Sequence, residues 1–201
     1  MRSRQTNKPD KYIVSECAKV LRDELPYNLH IFVNSVEFIA KVIDTLKLAP
    51  EAVKVVCSTS GESRQENQRK LGNAYPIGQP SDPAKKINFY TSTCFEGCDI
   101  FDPDGVTFIV SDGRKAHTLL DISTLFTQIC GRIRDSRYKA QIVHVYSTTK
   151  YSKAVTLDEF VAATQRTLAD AESYAAEINS LSEATRVKTL SKIPYILSLI
   201  H

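Results

Sequence analysis

The chain has 201 residues, of which 42% are hydrophobic and 24% charged, and its formal net charge is +3. These values are those of an ordinary globular protein with one good core, and the charge is too small to argue for nucleic-acid binding by itself. No run of about 18 apolar residues occurs, and the polar N-terminus lacks the apolar segment of a secretory signal. Neither a membrane span nor secretion is therefore supported, and we expect a cytoplasmic protein.

The five cysteines give no sign of a metal site. Cys17, Cys57 and Cys130 lie in apolar runs where a small hydrophobic residue would serve. Cys94 and Cys98 have a C-x-x-x-C spacing, but no histidine or second cysteine pair lies nearby in the sequence to complete four ligands. We expect structural thiols and no bound metal.

Apolar runs that alternate with helical patterns occupy most of the first 150 residues. Five of these runs predict strands: Leu29 to Val33, Val53 to Cys57, Ile87 to Tyr90, Val106 to Val110 and Ile142 to Tyr146. Because the runs are almost continuously apolar, they favour a parallel sheet covered on both faces, and hence an α/β fold. His30 and His144 fall inside two of these strands, so we expect core or sheet-edge positions for them rather than ligand positions.

Three helices are predicted between the strands. Residues 36–46 carry apolar residues at helical spacing behind Ser35, which is a good N-cap, and residues 62–71 form a strongly polar helix. The third helix, at 122–134, carries an apolar i, i+4, i+8 stripe that should pack on the sheet. The proline and glycine content of residues 72–83 predicts an irregular loop.

After the last strand the pattern is helical only, so we place a boundary near Tyr151. The length favours one domain with an appendage over two independent domains. The predicted organisation is an N-terminal helical lead-in (1–24), an α/β domain (25–150) and a helical appendage (151–201).

The third predicted strand runs into a turn rich in hydroxyl residues and glycine, where residues 91–99 read Thr-Ser-Thr-Cys-Phe-Glu-Gly-Cys-Asp. The hydroxyls of Thr91 and Ser92, together with backbone N–H groups of the turn, can bond a nucleic-acid phosphate. Gly97 allows the backbone to approach a ligand closely. Taken alone, the segment is equally compatible with a plain strand-to-helix turn.

A basic cluster ends the third predicted helix, where residues 128–135 read Gln-Ile-Cys-Gly-Arg-Ile-Arg-Asp. An arginine here could take two phosphate oxygens with its planar guanidinium, which stays charged throughout a reaction cycle. Taken alone, the cluster could also be a basic helix end, since cations suit a helix C-terminus.

In this order, with one predicted strand between them, the two segments resemble motifs V and VI of the second RecA-like domain of superfamily 2 helicases. The resemblance covers about residues 29–146 and implies a RecA-like sheet. The second segment departs from the commonest form, Gln-x-x-Gly-Arg-x-x-Arg, because Asp135 stands at the last arginine position, although a Gly-Arg-x-Arg variant occurs in some branches. The match assigns Arg132 to the γ-phosphate of ATP and leaves the second arginine open between Arg134 and Arg137.

The resemblance also implies which side chains meet the nucleotide. Asp99 would lie near it and couple it to the strand-binding loop, and Gln128 would meet the nucleotide or the acidic motif of a partner domain. The residues implied in catalysis are Arg132, Gln128 and Arg134, and those implied in nucleotide binding are Gly97, Asp99, Gly131 and Arg132.

Polar residues also follow the first two predicted strands. Asn34 and Ser35 resemble motif IV, and Ser58 holds the equivalent place after the next strand. Because the carboxyl ends of parallel strands meet at one edge of a sheet, these residues should join Thr91 and Ser92 along one edge that contacts the backbone of DNA or RNA. Few lysines or arginines adjoin them in the sequence, so we expect weak, sequence-tolerant binding.

The Gly-x-x-x-x-Gly-Lys-[Ser/Thr] loop and the Asp-Glu-x-[Asp/His] box that hold ATP and Mg²⁺ in these helicases are absent from the sequence. Both belong to the first RecA-like domain. The chain is therefore expected to act as the C-terminal half of an ATP-dependent helicase, with an N-terminal RecA-like domain in cis or in trans that binds most of the ATP and Mg²⁺, and to be inactive alone.

Two alternatives stand beside this hypothesis. The first is a non-catalytic nucleic-acid-binding or protein-interaction module with a helicase-like fold. The second is an unrelated nucleotide-binding α/β protein, which would need a glycine-rich phosphate loop after the first strand, and Asn34-Ser35-Val36-Glu37 is not one.

Overall fold

A computed structural model describes residues 1–148 and 156–190 of the chain. The chain divides into two compact units, 1–150 and 151–201. The division falls where the sequence pattern changes from alternating strands and helices to helices alone.

Within the described part of the first unit, six strands form one sheet in which all neighbouring strands are parallel. In chain order the strands are β1 (Arg2–Gln5), β2 (Asn28–Phe32), β3 (Val53–Val56), β4 (Ile87–Tyr90), β5 (Gly105–Asp112) and β6 (Ile142–Ser147). Their order across the sheet is β1-β6-β5-β2-β4-β3. All five predicted strands are present within two residues of their predicted bounds.

Strand β1 was not predicted, and residues 1–24 are therefore not simply a helical lead-in. Arg2 pairs with Val143 of β6, so this segment belongs to the sheet. All four residues of β1 are polar and exposed at the sheet edge, and an edge strand of this kind carries no apolar pattern that a sequence analysis could detect.

Helices cover both faces of the sheet. They are α1 (Pro9–Leu21), α2 (Val36–Leu46), α3 (Gly61–Leu71) and the short α4 (Thr127–Cys130). The bounds of α2 and α3 confirm two predicted helices, and the hydroxyl of Ser35 accepts a hydrogen bond from the backbone N–H of Phe38 at 3.3 Å, as expected of the N-cap.

Alternate residues along the central strands enter two separate cores, because successive side chains of a strand point to opposite faces. Ile31 and Phe89 lie in the core beneath α1, α2 and α3. Phe32 and Tyr90 lie in the second core, with Ile129 of α4. This burial on both faces explains the near-continuous apolar runs of the sequence.

The third predicted helix is shorter than expected. A π-helical turn (Ile122–Phe126) leads into α4, which ends at Cys130 instead of continuing to residue 134. Ile133 leaves the helical path and forms an isolated parallel bridge with Ile100. The helix stops because the chain beyond Gly131 exchanges helical hydrogen bonds for pairing with a distant segment.

The described part of the second unit, residues 156–190, contains two helices, α5 (Leu157–Ser180) and α6 (Glu183–Leu190). Helix α5 begins with a capping box in which Thr156 and Glu159 bond each other's backbone N–H groups. The fold class predicted from the sequence, a parallel α/β sheet followed by a helical segment, is confirmed, and the layout is consistent with a RecA-like domain. Among the helices described, none combines the length and the apolar character needed to span a membrane.

Candidate functional site

The two motif segments, far apart in the sequence, lie side by side. The backbone N–H of Ile100 donates to the carbonyl oxygen of Arg132 at 2.9 Å, and the N–H of Arg134 donates to the carbonyl oxygen of Ile100 at 3.0 Å. These bonds hold residues 98–102 parallel to residues 132–135. The backbone therefore fixes the relative position of the turn with Asp99 and the segment with the candidate arginines.

The guanidinium of Arg132 adds a side-chain link between the segments. Its Nη1 donates to the carbonyl oxygen of Cys98 at 2.9 Å, and its Nε donates to that of Gln128 at 3.0 Å. Arg132 is half-buried. Since a guanidinium has five N–H groups, three remain for a further acceptor.

Arg134 lies beside Asp99, whereas Arg137 does not. The Nε of Arg134 donates to Oδ1 of Asp99 at 2.7 Å, and both side chains are about half exposed. Arg137 instead pairs with Asp104, which precedes β5. Of the two arginines that the sequence left open, the structure brings only Arg134 next to the other candidate nucleotide-binding residues.

Asp135, at the position where the commonest motif has its last arginine, has a different partner. Its Oδ1 accepts a hydrogen bond from the backbone N–H of Asp102 at 3.0 Å. Asp102 is buried, so this carboxylate satisfies a backbone donor that water reaches poorly. The departure from the motif thus has a local structural function.

We use the name arginine patch for the six residues that the sequence assigned to catalysis or nucleotide binding: Gly97, Asp99, Gln128, Gly131, Arg132 and Arg134. All of them are exposed except the half-buried Arg132. Gly97 has a φ of 71°, in the left-handed region that favours glycine, and no atom lies within 4 Å of where a Cβ would be. The glycine is needed for the backbone turn rather than for space.

The residues assigned to nucleic-acid binding lie at the carboxyl ends of three neighbouring strands, β2, β4 and β3. Asn34 connects two of the loops there. Its Oδ1 accepts from the backbone N–H of Ser92 at 3.3 Å, and its Nδ2 donates to the carbonyl oxygen of His117 at 2.9 Å. We call this row of strand ends the carboxyl edge.

The predicted residues differ in how accessible they are at the carboxyl edge. Ser92 is exposed, and Ser58 is half-exposed with its hydroxyl 3.0 Å from that of Ser60. Thr91 is buried with its hydroxyl 3.2 Å from that of Thr93, and Ser35 is buried with its hydroxyl occupied as the N-cap of α2. The last two residues are therefore placed to shape the edge rather than to touch a ligand.

Sequence reasoning missed a basic loop at the same edge. The loop that follows β5 contains Arg114, Lys115 and His117, and it reaches Asn34 through the hydrogen bond described above. The loop is distant from Asn34 in the sequence and becomes its neighbour only because β5 lies beside β2. The sequence does contain a sign of this loop, because the apolar strand is followed by an Asp-Gly turn and then by basic residues.

Within the sheet lies a fully buried polar chain. Tyr90 OH is 3.0 Å from Nδ1 of His30, and Nε2 of His30 is 2.8 Å from Oδ2 of Asp102. Burial lowers the pKa of His30, although its bond to Asp102 acts in the opposite direction. The imidazole is thus neutral, donates from Nε2 to Asp102 and accepts from Tyr90, and its predicted core position is confirmed.

The carboxylate of Asp102 is the end of this chain. Burial alone would raise its pKa, but hydrogen bonds from His30, Asn28 and the backbone N–H of Asp104 outweigh burial, and the net shift is downward. A charged carboxylate therefore anchors the loop that enters β5, and the same residue's N–H is held by Asp135.

The described residues contain no cluster of three or more histidine, cysteine, aspartate or glutamate side chains that could hold a metal ion. All five cysteines are free, and Cys17, Cys57 and Cys94 are buried. Burial raises the pKa of the Cys94 thiol to about 12, so this thiol stays protonated at neutral pH.

The sequence was compared with models of known protein families and with characterised proteins, and neither comparison gave a match.

Proposed function

We propose that this chain is the C-terminal RecA-like domain of a cytoplasmic, ATP-dependent superfamily 2 helicase or translocase. The observation that carries the proposal is the backbone pairing of Ile100 with the segment from Arg132 to Arg134. Two segments that resemble motifs V and VI become a single surface through this pairing. If the two segments resembled the helicase motifs by chance, there would be no reason to expect them to pair in the fold.

In this proposal the arginine patch forms one wall of an ATP site, and an N-terminal RecA-like domain forms the other. The donor set fits a phosphate. Among the described residues, Arg132 uses two of its five N–H groups, and the side chain of Arg134 pairs with the exposed carboxylate of Asp99. Bound ATP supplies the phosphoryl group and bound Mg²⁺ the charge neutralisation. By the resemblance to helicases, the carboxylates that hold Mg²⁺ belong to the partner domain.

The two arginines of the patch then have different tasks. The hydrogen bonds of Arg132 to Cys98 and Gln128 fix its guanidinium plane before a nucleotide arrives, which is the preorganisation that transition-state stabilisation requires. The pairing of Arg134 with Asp99 is a surface ion pair of low net stability, so a phosphate can displace the carboxylate.

The turn at residues 92–99 connects the two proposed sites. It starts at the carboxyl edge, where the backbone N–H of Ser92 bonds Asn34, and it ends at Asp99 in the arginine patch. A displacement of the turn by a nucleic-acid phosphate therefore moves the residues that contact Arg132 and Arg134. This is the proposed coupling between ATP hydrolysis and movement along DNA or RNA.

The test is the ATPase activity of this domain joined to an N-terminal RecA-like domain with the phosphate loop, measured with single- and double-stranded DNA and RNA. We expect turnover that nucleic acid stimulates. The chain alone should hydrolyse no ATP, because it lacks the phosphate loop and the Mg²⁺-binding carboxylates. Turnover by the chain alone, or a two-domain protein that no nucleic acid stimulates, would contradict the proposal.

A second candidate is a non-catalytic nucleic-acid-binding or protein-interaction module. One observation favours it: Arg132, Arg134 and Arg137 all have internal partners. In such a module the arginines would only stabilise the pairing of the two segments. Substitution of Arg132 would then change stability and leave catalysis by any joined partner domain untouched.

A further inference from the structure

The loop that follows β5, residues 113–118, is held rigidly by one buried side chain. The hydroxyl of Thr118 accepts from the backbone N–H of Asp112 at 2.9 Å and lies within 2.9 Å of the carbonyl oxygens of Asp112 and Lys115. Backbone bonds from Lys115 to Asp112 and from Thr118 to Lys115 close two consecutive turns. The loop therefore has a fixed shape without any ligand.

The carboxylate of Asp112 fixes the base of this loop. Arg114 donates to it in a bidentate manner, with Nε to Oδ1 at 2.9 Å and Nη2 to Oδ2 at 2.8 Å, and Ser147 of β6 donates to Oδ1 at 2.8 Å. These bonds, chiefly that of Arg114, lower the pKa of Asp112 to about 2. The guanidinium of Arg114 is held in one plane while its side chain stays 58% exposed, and three of its N–H groups remain unused.

The loop contacts the carboxyl edge through its backbone and through Lys115. The carbonyl oxygen of His117 bonds the side chain of Asn34 at 2.9 Å, and Nζ of Lys115 lies 3.5 Å from Oε2 of Glu37 on α2. Lys115 and Glu37 are both substantially exposed. At this distance and exposure the ion pair contributes little, so a stronger anion can replace Glu37.

We propose that the loop at residues 113–118 is a contact for the phosphate backbone of a bound nucleic-acid strand, and that it extends the carboxyl edge from β2 to β5. The inference rests on the proposed function, because it assigns further residues to the same nucleic-acid surface. Lys115 leaves Glu37 for a phosphate, and Arg114 offers its outer N–H groups from a preformed position. A rigid cationic loop loses little conformational freedom on binding, which suits a contact that must form repeatedly along a strand.

The structure supplies three matched substitutions that test the loop. Lys115→Ala removes the proposed phosphate contact. Glu37→Gln removes the competing carboxylate and keeps the shape of the side chain. Lys86→Ala is the control, because Lys86 is also an exposed lysine in a surface ion pair, with Asp23 at 3.0 Å, but it precedes β4 at the opposite end of the sheet.

The measurement is a fluorescence anisotropy titration of labelled single-stranded DNA and RNA with the 201-residue chain at several salt concentrations. Lys115→Ala should weaken binding about fivefold at low salt and reduce the slope of log K against log salt by about 0.7, the contribution of one neutralised phosphate on a single strand. Glu37→Gln should strengthen binding about twofold, and Lys86→Ala should leave the affinity and the slope unchanged.

The outcomes separate this inference from the proposed function. If the unaltered chain binds single strands and Lys115→Ala and Glu37→Gln bind them with the same affinity and salt slope, the loop is not a phosphate contact. The proposed function is then unaffected, because the other residues of the carboxyl edge can still bind the strand. If Lys86→Ala weakens binding as much as Lys115→Ala, only net charge matters and the inference is overturned. If the unaltered chain binds neither strand at the lowest salt, the nucleic-acid surface itself is wrong, and both proposals fall together.

Discussion

The guanidinium of Arg132 donates to the carbonyl oxygen of Cys98 across 2.9 Å, and thereby joins the turn after β4 to the segment after α4. This bond uses Nη1, and Nε of the same guanidinium bonds the carbonyl oxygen of Gln128. One planar group therefore holds two acceptors. A lysine has one nitrogen at the tip of a flexible chain and cannot hold both acceptors in one plane.

The first prediction therefore concerns Arg132→Lys in the two-domain protein. We expect kcat to fall strongly while folding and nucleic-acid affinity stay near those of the unaltered protein, since arginines that meet transferred phosphoryl groups contribute about 10³ to 10⁵ in rate. Arg137→Lys is the matched control, because Arg137 pairs with Asp104 outside the arginine patch. A loss in kcat of less than about tenfold for Arg132→Lys would transfer the phosphate-contacting role to Arg134.

The second prediction separates two neighbouring hydroxyls at the carboxyl edge. Ser92→Ala should weaken the binding of single strands without a change in stability, because Ser92 is exposed. Thr91→Ala should lower the free energy of unfolding by about 1 kcal/mol and leave the affinity of the folded protein unchanged, because Thr91 is buried against Thr93. Anisotropy titrations and urea unfolding of both variants give the comparison, and an exchange of the two phenotypes would refute this account of the edge.

The third prediction concerns Asp135, which replaces the last arginine of the commonest motif. Asp135→Ala leaves the backbone N–H of the buried Asp102 without its partner, so the free energy of unfolding should fall by about 1–3 kcal/mol. Asp135→Asn keeps an oxygen acceptor and should cost less. Asp135→Arg restores the commonest motif and should cost at least as much as alanine. Urea unfolding curves measure all three, and a stabilising Asp135→Arg would show that the bond to Asp102 is unimportant.

The fourth prediction is a dependence of stability on pH. Burial lowers the pKa of His30 below its ordinary value of 6.5, so the unfolded chain takes up a proton before the folded chain does as the pH falls. The free energy of unfolding should therefore decrease as the pH falls below about 6.5, down to the pKa of His30 in the folded protein. Burial lowers the pKa of His144 as well, so this residue adds to the same slope.

Urea unfolding between pH 8 and pH 5 measures how the free energy of unfolding depends on pH. The ¹⁵N chemical shifts of the imidazoles show which histidine causes the dependence. His144→Gln is the control, since it removes only one of the two contributions. A His30 imidazole that titrates at or above 6.5 in the folded protein would contradict this prediction, because the bond to Asp102 would then outweigh burial.

The central strands and α2 could be predicted because each buries side chains in a regular pattern. Ile31 and Phe32 enter different cores, which makes β2 apolar throughout, and the stripe on α2 follows a hydroxyl that caps its first turn. Local rules of burial and capping determine such elements. In the structure, the bounds of these strands and of α2 differ from the predicted bounds by at most two residues.

The remaining features depend on contacts between segments that are distant in the sequence. The end of α4 is set by the bridge between Ile100 and Ile133, and β1 exists because Val143 and its neighbours offer a free strand edge. The position of Lys115 near Asn34 follows from the strand order, which no local pattern encodes. The burial of Thr91 was missed for the same reason, since a hydroxyl after a strand can point outward or inward.

The pairing of Arg2 with Val143 has a consequence for how the protein is made. During synthesis β1 emerges long before its partner β6, so its backbone groups stay hydrated while the four intervening strands, β2 to β5, assemble. Contacts of such long sequence separation form late and slowly, because the loop between them must close first. The sheet is thus completed by joining the earliest and the latest residues of the first unit, and ribosome-bound chains that stop short of residue 142 should carry an unpaired β5 edge that chaperones can recognise.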